Sequence, residues 1–272
     1  MALTEFQRVV LRLLSDARRE RGERYVAGGV ALNLLLDTPR VSRDIDLFHD
    51  STAALAVSWS SDRTVMESSG FTVSVIRESP AFVEAIVAGE TGRCVVEWAR
   101  DSAFRFFPLI DDPVLGLTLH PFDLATNKVL ALAGRLEVRD WVDVLACDER
   151  VQPLGYLAFS SCGKDPGYNP FSLLDAARRQ HYSQLELDTL DFDGERPDAG
   201  NLGRRWHSAL AAAHEICSAL PPDQVGTCVA TSDGRLCTHA ATVLQRALSR
   251  GEVMFHPGSI GGAWPNVRPL PE

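Results

Sequence analysis

The segment GGVALNLLLDTPRVSRDIDLF, residues 28–48, constrains the fold of this chain more than any other part of the sequence. Two adjacent glycines separate a short apolar segment from a run with helical spacing, and Asp37-Thr38-Pro39 is typical of a turn. After the turn, polar and apolar residues alternate over residues 44–48, which is the period of a strand. The segment therefore predicts a short strand, a glycine pair, a helix, a turn and a second strand, in that order.

The glycine pair and the residues after the turn suggest a phosphate-binding site. Gly28 and Gly29 let the backbone approach a ligand closely, and the N-terminus of the helix that follows offers N–H groups and a positive dipole end. Arg40 and Ser42 lie where they could contact phosphate. We therefore predict these four residues to bind nucleotide, although a lone Gly-Gly is more often only a turn.

Two aspartates suggest a metal site beside it. Asp44 and Asp46 stand two positions apart, so on a strand their side chains share one face. Adjacent carboxylates repel each other unless a cation joins them, and all-oxygen ligation suits Mg²⁺ with a nucleoside triphosphate. We predict both as metal ligands. The alternative for a lone D-x-D is a solvated strand face.

Composition narrows the class of protein. Among 272 residues, 27 basic side chains face 36 acidic ones, which gives a net charge of -9 and excludes a general basic coat for nucleic acid. The longest apolar run, residues 25–36, contains Asn33 and is too short to span a bilayer, and residues 1–10 lack a signal-peptide pattern. Six scattered cysteines without a CxxC pair predict free thiols. We expect a cytoplasmic protein that does not associate with a membrane.

Periodicity predicts two domains. Helices are predicted over residues 4–17, 30–36, 121–133 and 138–147 and within 52–68, and strands over 44–48, 71–77, 82–88 and 93–98. This interleaving indicates an α/β or α+β domain over residues 1–150. Residues 151–272 carry helical patterns near 171–181, 202–220 and 238–250, which predicts a mostly helical C-terminal domain.

The order Gly-Gly, helix, D-x-D resembles the minimal nucleotidyltransferase fold of the DNA polymerase β superfamily, which has a mixed sheet. Within it, RVSRDIDLF is most similar to the AbiEii/AbiGii-type nucleotidyltransferase toxins, the toxin half of type IV toxin–antitoxin pairs. MenT-type toxins, which add nucleotides to tRNA acceptor ends, belong to the same broad group. That family also has a later motif, a lysine followed by basic residues and K/R-D-x-x-D. Lys128, Arg135 and RDWVD at 139–143 resemble it, and CGKDPGYNP at 162–170 looks similar to such proteins.

The resemblance implies roles for three more residues. Lys128, one of only two lysines in the chain, would contact the triphosphate, and Asp140 would position or activate the acceptor. Glu97 would add a third carboxylate to the metal from a later strand. The alternatives are a lysine stem that covers the core, a solvated Asp140 with Asp143 paired to Arg139, and a glutamate at a strand edge.

The function implied by the resemblance is transfer of a nucleoside monophosphate from an NTP to an acceptor hydroxyl, with Mg²⁺ or Mn²⁺ as cofactor. RNA or tRNA is the expected acceptor, and a cognate antitoxin encoded next to the toxin is the expected partner. Two alternatives stay open. One is a nucleotidyltransferase with a small-molecule, antibiotic-like acceptor, and the other is a catalytically silent nucleotide-binding or interaction protein on the same fold. The sequence leaves the base of the NTP open.

Overall fold

The structure is a computed structural model that describes residues 3–21, 24–135, 137–178 and 182–261. Its residues form two compact units. The first unit contains Met1–Ala103, Leu109–His120 and Asp191–Gly194, and the second contains Phe104–Pro108, Pro121–Leu190 and Glu195–Glu272.

The elements up to residue 120 are α1 (Glu5–Arg21), β1 (Arg24–Ala27), α2 (Gly28–Leu35), β2 (Arg40–Val41), β3 (Asp44–His49), α3 (Thr52–Ser68), β4 (Thr72–Ser79), β5 (Phe82–Gly89), β6 (Gly92–Arg100), β7 (Phe104–Arg105), β8 (Ile110–Asp112) and β9 (Gly116–Thr118). The later elements are α4 (Pro121–Gly134), α5 (Val138–Arg150), α6 (Leu154–Ser161), α7 (Pro170–Arg178), α8 (Gln184–Leu187), β10 (Asp191–Phe192), α9 (Ala199–Ala219), a 3₁₀ turn (Pro222–Gln224), β11 (Thr227–Thr231), α10 (Ala241–Ser249), β12 (Val253–Pro257) and β13 (Ser259–Ile260).

The first unit is built on a mixed sheet of seven strands in the order β4-β5-β6-β3-β1-β9-β8. β3 is parallel to β6 and β1 is parallel to β9, whereas β1 and β3 are antiparallel. One face of the central strands is buried and carries Ile45, Leu47, Val96 and Trp98. Because side chains alternate along a strand, the half-buried positions between them lie on the opposite face.

Helix α1 begins with the capping box that the sequence predicted. Gln7 N–H donates to the Thr4 hydroxyl at 3.2 Å, and Thr4 N–H donates back to the Gln7 side-chain oxygen at 2.9 Å. The amide nitrogen of Gln7 also donates to the backbone carbonyl of Ser42 at 2.8 Å, in a buried position. One buried side chain therefore both starts α1 and fixes the chain just before β3.

A buried polar network lies beneath the central strands. Asp62, on α3, forms an ion pair with Arg24 of β1 and accepts a hydrogen bond from the Trp98 indole nitrogen of β6 at 2.9 Å. A buried carboxylate without partners would be costly, so these contacts allow Asp62 to be fully buried. They attach α3 to two strands of the sheet, and Trp59 of α3 also packs against Trp98 with ring centroids 4.7 Å apart.

The second unit is mainly helical. α4 packs against α5, α6 and α7, and α6 packs against α9 and β11. A core cluster at α6, α9 and α10 consists of Tyr156, Phe159, Ile216, Leu220, Val229, Cys237 and Leu244. The Gln152 amide donates to the carbonyls of Val229 and Cys237 at 2.9 and 2.8 Å, which joins the α5–α6 turn to the region of β11.

The mixed α/β fold class is confirmed, and the elements predicted within the first 150 residues lie close to their predicted bounds, whereas the short strands β2, β7, β8 and β9 were not predicted. The predicted domain boundary lies at residue 150, whereas the contacts divide most of the chain near residue 120, since α4 and α5 pack against later helices. It also missed α6 and the antiparallel pair β11–β12, within a region expected to be mostly helical. Residues 179–181, at the end of one predicted helix, lie outside the described residues.

The six cysteines are all buried and free, as the sequence predicted. Within the described residues, no helix is both long and apolar enough to cross a membrane.

His49 generates a prediction about acid stability. Burial, with a smaller contribution from the charge of Arg24, lowers the pKa of His49 to about 4, although backbone hydrogen bonds to Ala99 and Leu47 oppose the shift. The unfolded chain binds more protons than the folded one between this value and the ordinary pKa near 6.5, so stability falls as the pH falls through that window. We expect His49 to account for a loss of about 3 kcal/mol of unfolding free energy across it. Urea denaturation from pH 7 to pH 4 measures this loss.

The control for this prediction is a pair of variants. His49→Gln should flatten the pH dependence, and His207→Gln, at an exposed position of α9, should leave it unchanged. Equal slopes for His49→Gln and wild type would show that His49 does not cause the acid destabilisation.

Candidate nucleotide-binding and catalytic site

The glycine pair lies where β1 ends and α2 begins, directly against predicted site residues. The antiparallel register of β1 and β3 places Ala27 opposite Asp46. Gly28 has a φ of 65°, which favours glycine, and a Cβ added to it would overlap the Asp46 carboxylate. The site therefore requires glycine at this position for two reasons, backbone conformation and the close approach of Asp46.

Gly29 also lies close to side chains of the predicted site. A Cβ added there would lie 2.6 Å from Arg40 Nη2 and 2.8 Å from Ser42 Oγ. Both side chains are buried, and they lie against the first turn of α2. The N-cap residue Ala27 supplies no side-chain hydrogen bond to that turn. The turn thus presents backbone N–H groups beside a guanidinium and a hydroxyl, a combination that suits phosphate oxygens.

The carboxylates lie on the half-buried face of the sheet. Asp44 and Asp46 point to the same side of β3, and the parallel register places Glu97 of β6 opposite Asp46. On the next strand Glu84 lies opposite Glu97, and its carboxylate pairs with Arg77 at 2.7 Å. A row of acidic side chains therefore crosses three adjacent strands. The charge of Arg77 compensates that of Glu84, at the outer end of the row.

We tested whether this row suits a magnesium ion. Among the described residues, no three His, Cys, Asp or Glu side chains converge closely enough to form a metal cluster. Two carboxylates on one strand face nevertheless fit Mg²⁺, which commonly takes one or two protein carboxylates and completes its shell with water and substrate phosphates. Asp44 and Asp46 are suitable oxygen donors, and their position beside the first turn of α2 fits a cation that arrives with a triphosphate. The roles of Asp44, Asp46 and Glu97 stay predictions.

The second unit contains a buried cluster of charges between α4 and α5. Lys128 Nζ lies 3.0 Å from Asp140 Oδ1 and 2.9 Å from Asp143 Oδ2. Arg135 also binds Asp140, with Nε 2.7 Å from Oδ2 and Nη2 3.1 Å from Oδ1. Asp140 and Asp143 lie three positions apart on α5, so both face α4. These residues belong to one predicted motif, and they meet in one cluster.

The charges of this cluster control the ionisation of Asp140. Burial raises the pKa of its carboxyl, but the charge of Lys128 and the hydrogen bond and charge of Arg135 outweigh burial and hold the pKa below its usual range. Asp140 is fully buried in this arrangement. Its carboxylate is therefore a stable anion that holds Lys128 in place.

An aromatic pair lies beside the cluster. Trp141, next to Asp140, packs against Tyr182 with ring centroids 5.0 Å apart. Burial, followed by the charges of Asp140, Glu186 and Glu137, raises the pKa of Tyr182 to about 12, so this hydroxyl stays protonated at neutral pH. The sequence pattern around residue 182 did not suggest that Tyr182 lies near Asp140.

The other lysine, Lys164, pairs with Asp123 at 2.8 Å and donates to the Asn127 side-chain oxygen at 2.7 Å. The Asp123 carboxylate also accepts the backbone N–H groups of Phe106 and Phe107 at 2.9 and 3.0 Å. Lys164, from the motif CGKDPGYNP, thus connects the turn after α6 to α4. Lys128 is buried and Lys164 is partly buried, and both are bound to aspartates of the second unit.

One further pair near the site escaped the sequence analysis. Asp191 of β10 binds Arg43, the residue just before Asp44, with Arg43 Nε 2.6 Å from Oδ2. The two residues are 148 positions apart in the sequence. No pattern within either segment indicated that they would meet.

The Gly28 contact generates a prediction. Gly28→Ala should lower the unfolding free energy by about 1–3 kcal/mol, because alanine is strained at a positive φ and its methyl group displaces the Asp46 carboxylate. The same displacement should weaken binding of an NTP with Mg²⁺. Urea denaturation and calorimetric titration with NTP and Mg²⁺ measure the two effects.

Gly203→Ala is the matched control. Gly203 lies within α9, where an added Cβ meets no atom within 4 Å, so alanine should be neutral or stabilising by up to about 1 kcal/mol. If Gly28→Ala behaved like Gly203→Ala in both measurements, Asp46 would not be held against the Gly28 backbone.

Comparison with solved structures shows that the fold is shared with proteins that include a nucleotidyltransferase toxin. MenT4, a nucleotidyltransferase toxin from Mycobacterium tuberculosis, is 16% identical and superposes with a TM-score of 0.51 over 80% of this chain and 85% of its own. JHP933 from Helicobacter pylori is 14% identical, with a TM-score of 0.51 over 79% of this chain and 95% of its own. At these identities the likeness is one of fold. No curated protein sequence matches the chain significantly.

The family assignment comes from the sequence of residues 12–162. This segment matches the family described as nucleotidyl transferase AbiEii toxin, type IV toxin–antitoxin system. The matched segment includes the glycine pair, the two aspartates of β3 and the Lys128 cluster, and it is more than half of the 272 residues. The chain therefore belongs to the AbiEii family of nucleotidyltransferase toxins.

Proposed function

We propose that this protein transfers a nucleoside monophosphate from an NTP to a hydroxyl group of an RNA acceptor, in particular tRNA, and that it does so as the toxin of a type IV pair. The contact between the Gly28 backbone and the Asp46 carboxylate carries the proposal. It places the first turn of α2, which suits phosphate, directly beside carboxylates that suit a cation. An NTP with Mg²⁺ carries both groups in one ligand.

In the proposed reaction the acceptor hydroxyl gives its proton to solvent, its oxygen forms a bond to the α-phosphorus, and the bond from that phosphorus to the pyrophosphate oxygen breaks, which releases pyrophosphate. The N–H groups at Gly28 and Gly29, with Arg40 and Ser42, bind the β- and γ-phosphates. Asp44 and Asp46 hold Mg²⁺ or Mn²⁺. When bound, that ion neutralises triphosphate charge and makes the acceptor hydroxyl easier to deprotonate. Because Glu97 lies opposite Asp46 in the sheet, it orients this carboxylate pair or adds a ligand to it.

For Lys128 we propose electrostatic stabilisation of the charge that develops on the phosphates. For Asp140 we propose that it positions Lys128, in preference to activating the acceptor hydroxyl. The support is its environment, since a buried carboxylate bound by both Lys128 and Arg135, with a lowered pKa, is a poor proton acceptor. Asp143, at 2.9 Å from Lys128, has the same positioning role.

The expected acceptor and partner distinguish this proposal from its alternative. Incubation of the purified protein with labelled NTPs and total tRNA should label tRNA, whereas a panel of aminoglycoside-type small molecules should stay unlabelled. Labelling of a small molecule instead of RNA would replace RNA as the acceptor class. A cognate antitoxin encoded by the neighbouring gene should restore growth to cells that express the toxin.

The first prediction from this function concerns the aspartates. Asp44→Ala and Asp46→Ala should each lower NMP transfer to tRNA by roughly a hundredfold or more, because each removes a carboxylate ligand of the cation. Expression of the wild type should slow growth, and neither variant should do so. Asp111→Ala, at an exposed position of β8, is the control and should behave as wild type. Near-normal transfer by either variant would remove that residue from the metal site.

A second prediction uses the two lysines, each paired with a buried aspartate, as a matched pair. Lys128→Ala and Lys164→Ala each leave buried aspartate charge uncompensated, so both should lower stability by about 3–5 kcal/mol. Only Lys128→Ala should also lower kcat for transfer, because only Lys128 is assigned to the phosphates. Lys128→Arg should restore stability better than activity, since a guanidinium cannot take the place of a compact ammonium.

Both lysine variants are measured well below their unfolding temperatures, so that only folded protein is compared. Equal kcat values for Lys128→Ala and Lys164→Ala would return Lys128 to a structural role.

A further inference from the structure

The short strand β10 pairs with the segment that carries two of the predicted phosphate-binding residues. β10 and β2 are antiparallel, with Asp191 opposite Val41 and Phe192 opposite Arg40. Beyond the ladder, Asp193 N–H donates to the Pro39 carbonyl at 2.7 Å. Residues 191–194 belong to the first unit, although the residues on either side of them belong to the second. A distant part of the chain therefore pairs with the chain between α2 and β3.

An ion pair extends this contact towards the aspartates of β3. Arg43 Nε and Nη2 lie 2.6 and 3.1 Å from the two carboxylate oxygens of Asp191, a geometry with two parallel hydrogen bonds. The Arg43 side chain is 68% exposed and that of Asp191 is 45% exposed. Arg43 stands between Ser42 and Asp44 in the sequence. The pair therefore fixes the backbone between the predicted phosphate site and the predicted metal site.

Residues 39–43 are thus held from two directions. Gln7 of α1 donates to the Ser42 carbonyl at 2.8 Å, and β10 holds Pro39, Arg40, Val41 and Arg43 through the ladder and the ion pair. A ladder of two residues per strand is marginal by itself. The additional bonds from Asp191 and Asp193 are therefore needed to keep it formed.

We propose that Asp191 is a positioning residue for nucleotide binding, which holds Arg40 and Ser42 against the first turn of α2 through Arg43 and the β10–β2 ladder. The inference rests on the proposed function, because it assigns Arg40 and Ser42 to the phosphates. Side chains that recognise a ligand work only when their backbone is held within about 0.5 Å of the productive position. Asp191 provides that restraint from 148 residues away.

The expected effect is local. An exposed ion pair contributes little to global stability, so Asp191→Asn should shift the melting temperature only slightly. Without the ion pair to Asp191, residues 39–43 should be less well ordered in the free protein. Binding of the NTP must then order them, and this should lower the affinity for the NTP. We expect KM for NTP to rise about fivefold to tenfold while kcat changes less than about twofold.

A double-mutant cycle tests the proposal. The variants are Asp191→Asn, Arg43→Gln and the two combined, with KM and kcat for NTP measured on the full chain with tRNA as acceptor. If Asp191 acts through Arg43, the double variant should be no worse than either single variant. Additive effects, or an unchanged KM in Asp191→Asn, would overturn the proposal. Additivity would also indicate that Arg43 contacts the nucleotide by itself.

Glu67→Gln is the matched control, because Glu67 forms an exposed ion pair with Arg63 in the same unit, at 2.8 Å on α3. This variant should leave KM unchanged.

Hydrogen exchange of the backbone amides of residues 40–43 gives a readout that needs no nucleotide. Exchange there should be faster in Asp191→Asn than in wild type and Glu67→Gln, and equal exchange would overturn the positioning role. If wild-type protein neither bound nor used NTP, the proposed function would fail, while hydrogen exchange would still report whether Asp191 holds this segment. The two failures are therefore distinguishable.

Discussion

The first unit depends on the close approach of the Gly28 backbone to the Asp46 carboxylate. This approach exists because β1 and β3 pair in a register that puts Ala27 opposite Asp46, and because Gly28 has no side chain to prevent it. The contact brings the start of a helix beside two carboxylates on one strand face. In a nucleotide–metal complex, the phosphates are complementary to the positive end of the helix dipole, and the cation is complementary to the two carboxylates.

Buried charge has two different uses in this protein. Arg24, Asp62 and Trp98 form a network on the covered face of the sheet, opposite the predicted site, and they attach α3 to the strands. Lys128 and Asp140 form an ion pair inside the second unit, within the segment that matches the family. Desolvation offsets much of the attraction in both pairs. The first pair joins α3 to the sheet, and the second contains the lysine to which we assign a role in the proposed reaction.

The segment between α2 and β3 shows how a site made of short elements is kept in place. β2 contains only two residues, yet it carries Arg40 and leads to Ser42 and Asp44. It is held by Gln7, which also caps α1, and by β10, which comes from the later half of the chain. Residues distant in the sequence therefore hold the backbone that carries Arg40 and Ser42.

The sequence by itself determined the family, the mixed α/β class and the motif residues, because glycine conformation, strand alternation and the Thr4–Gln7 cap act over a few residues. It also predicted that Asp44 and Asp46 share a face. Only the tertiary structure decided that Glu97 lies opposite Asp46, that α4 and α5 belong with the later helices, and that Asp191 meets Arg43. These outcomes depend on strand register and on packing between distant segments, which local patterns do not encode.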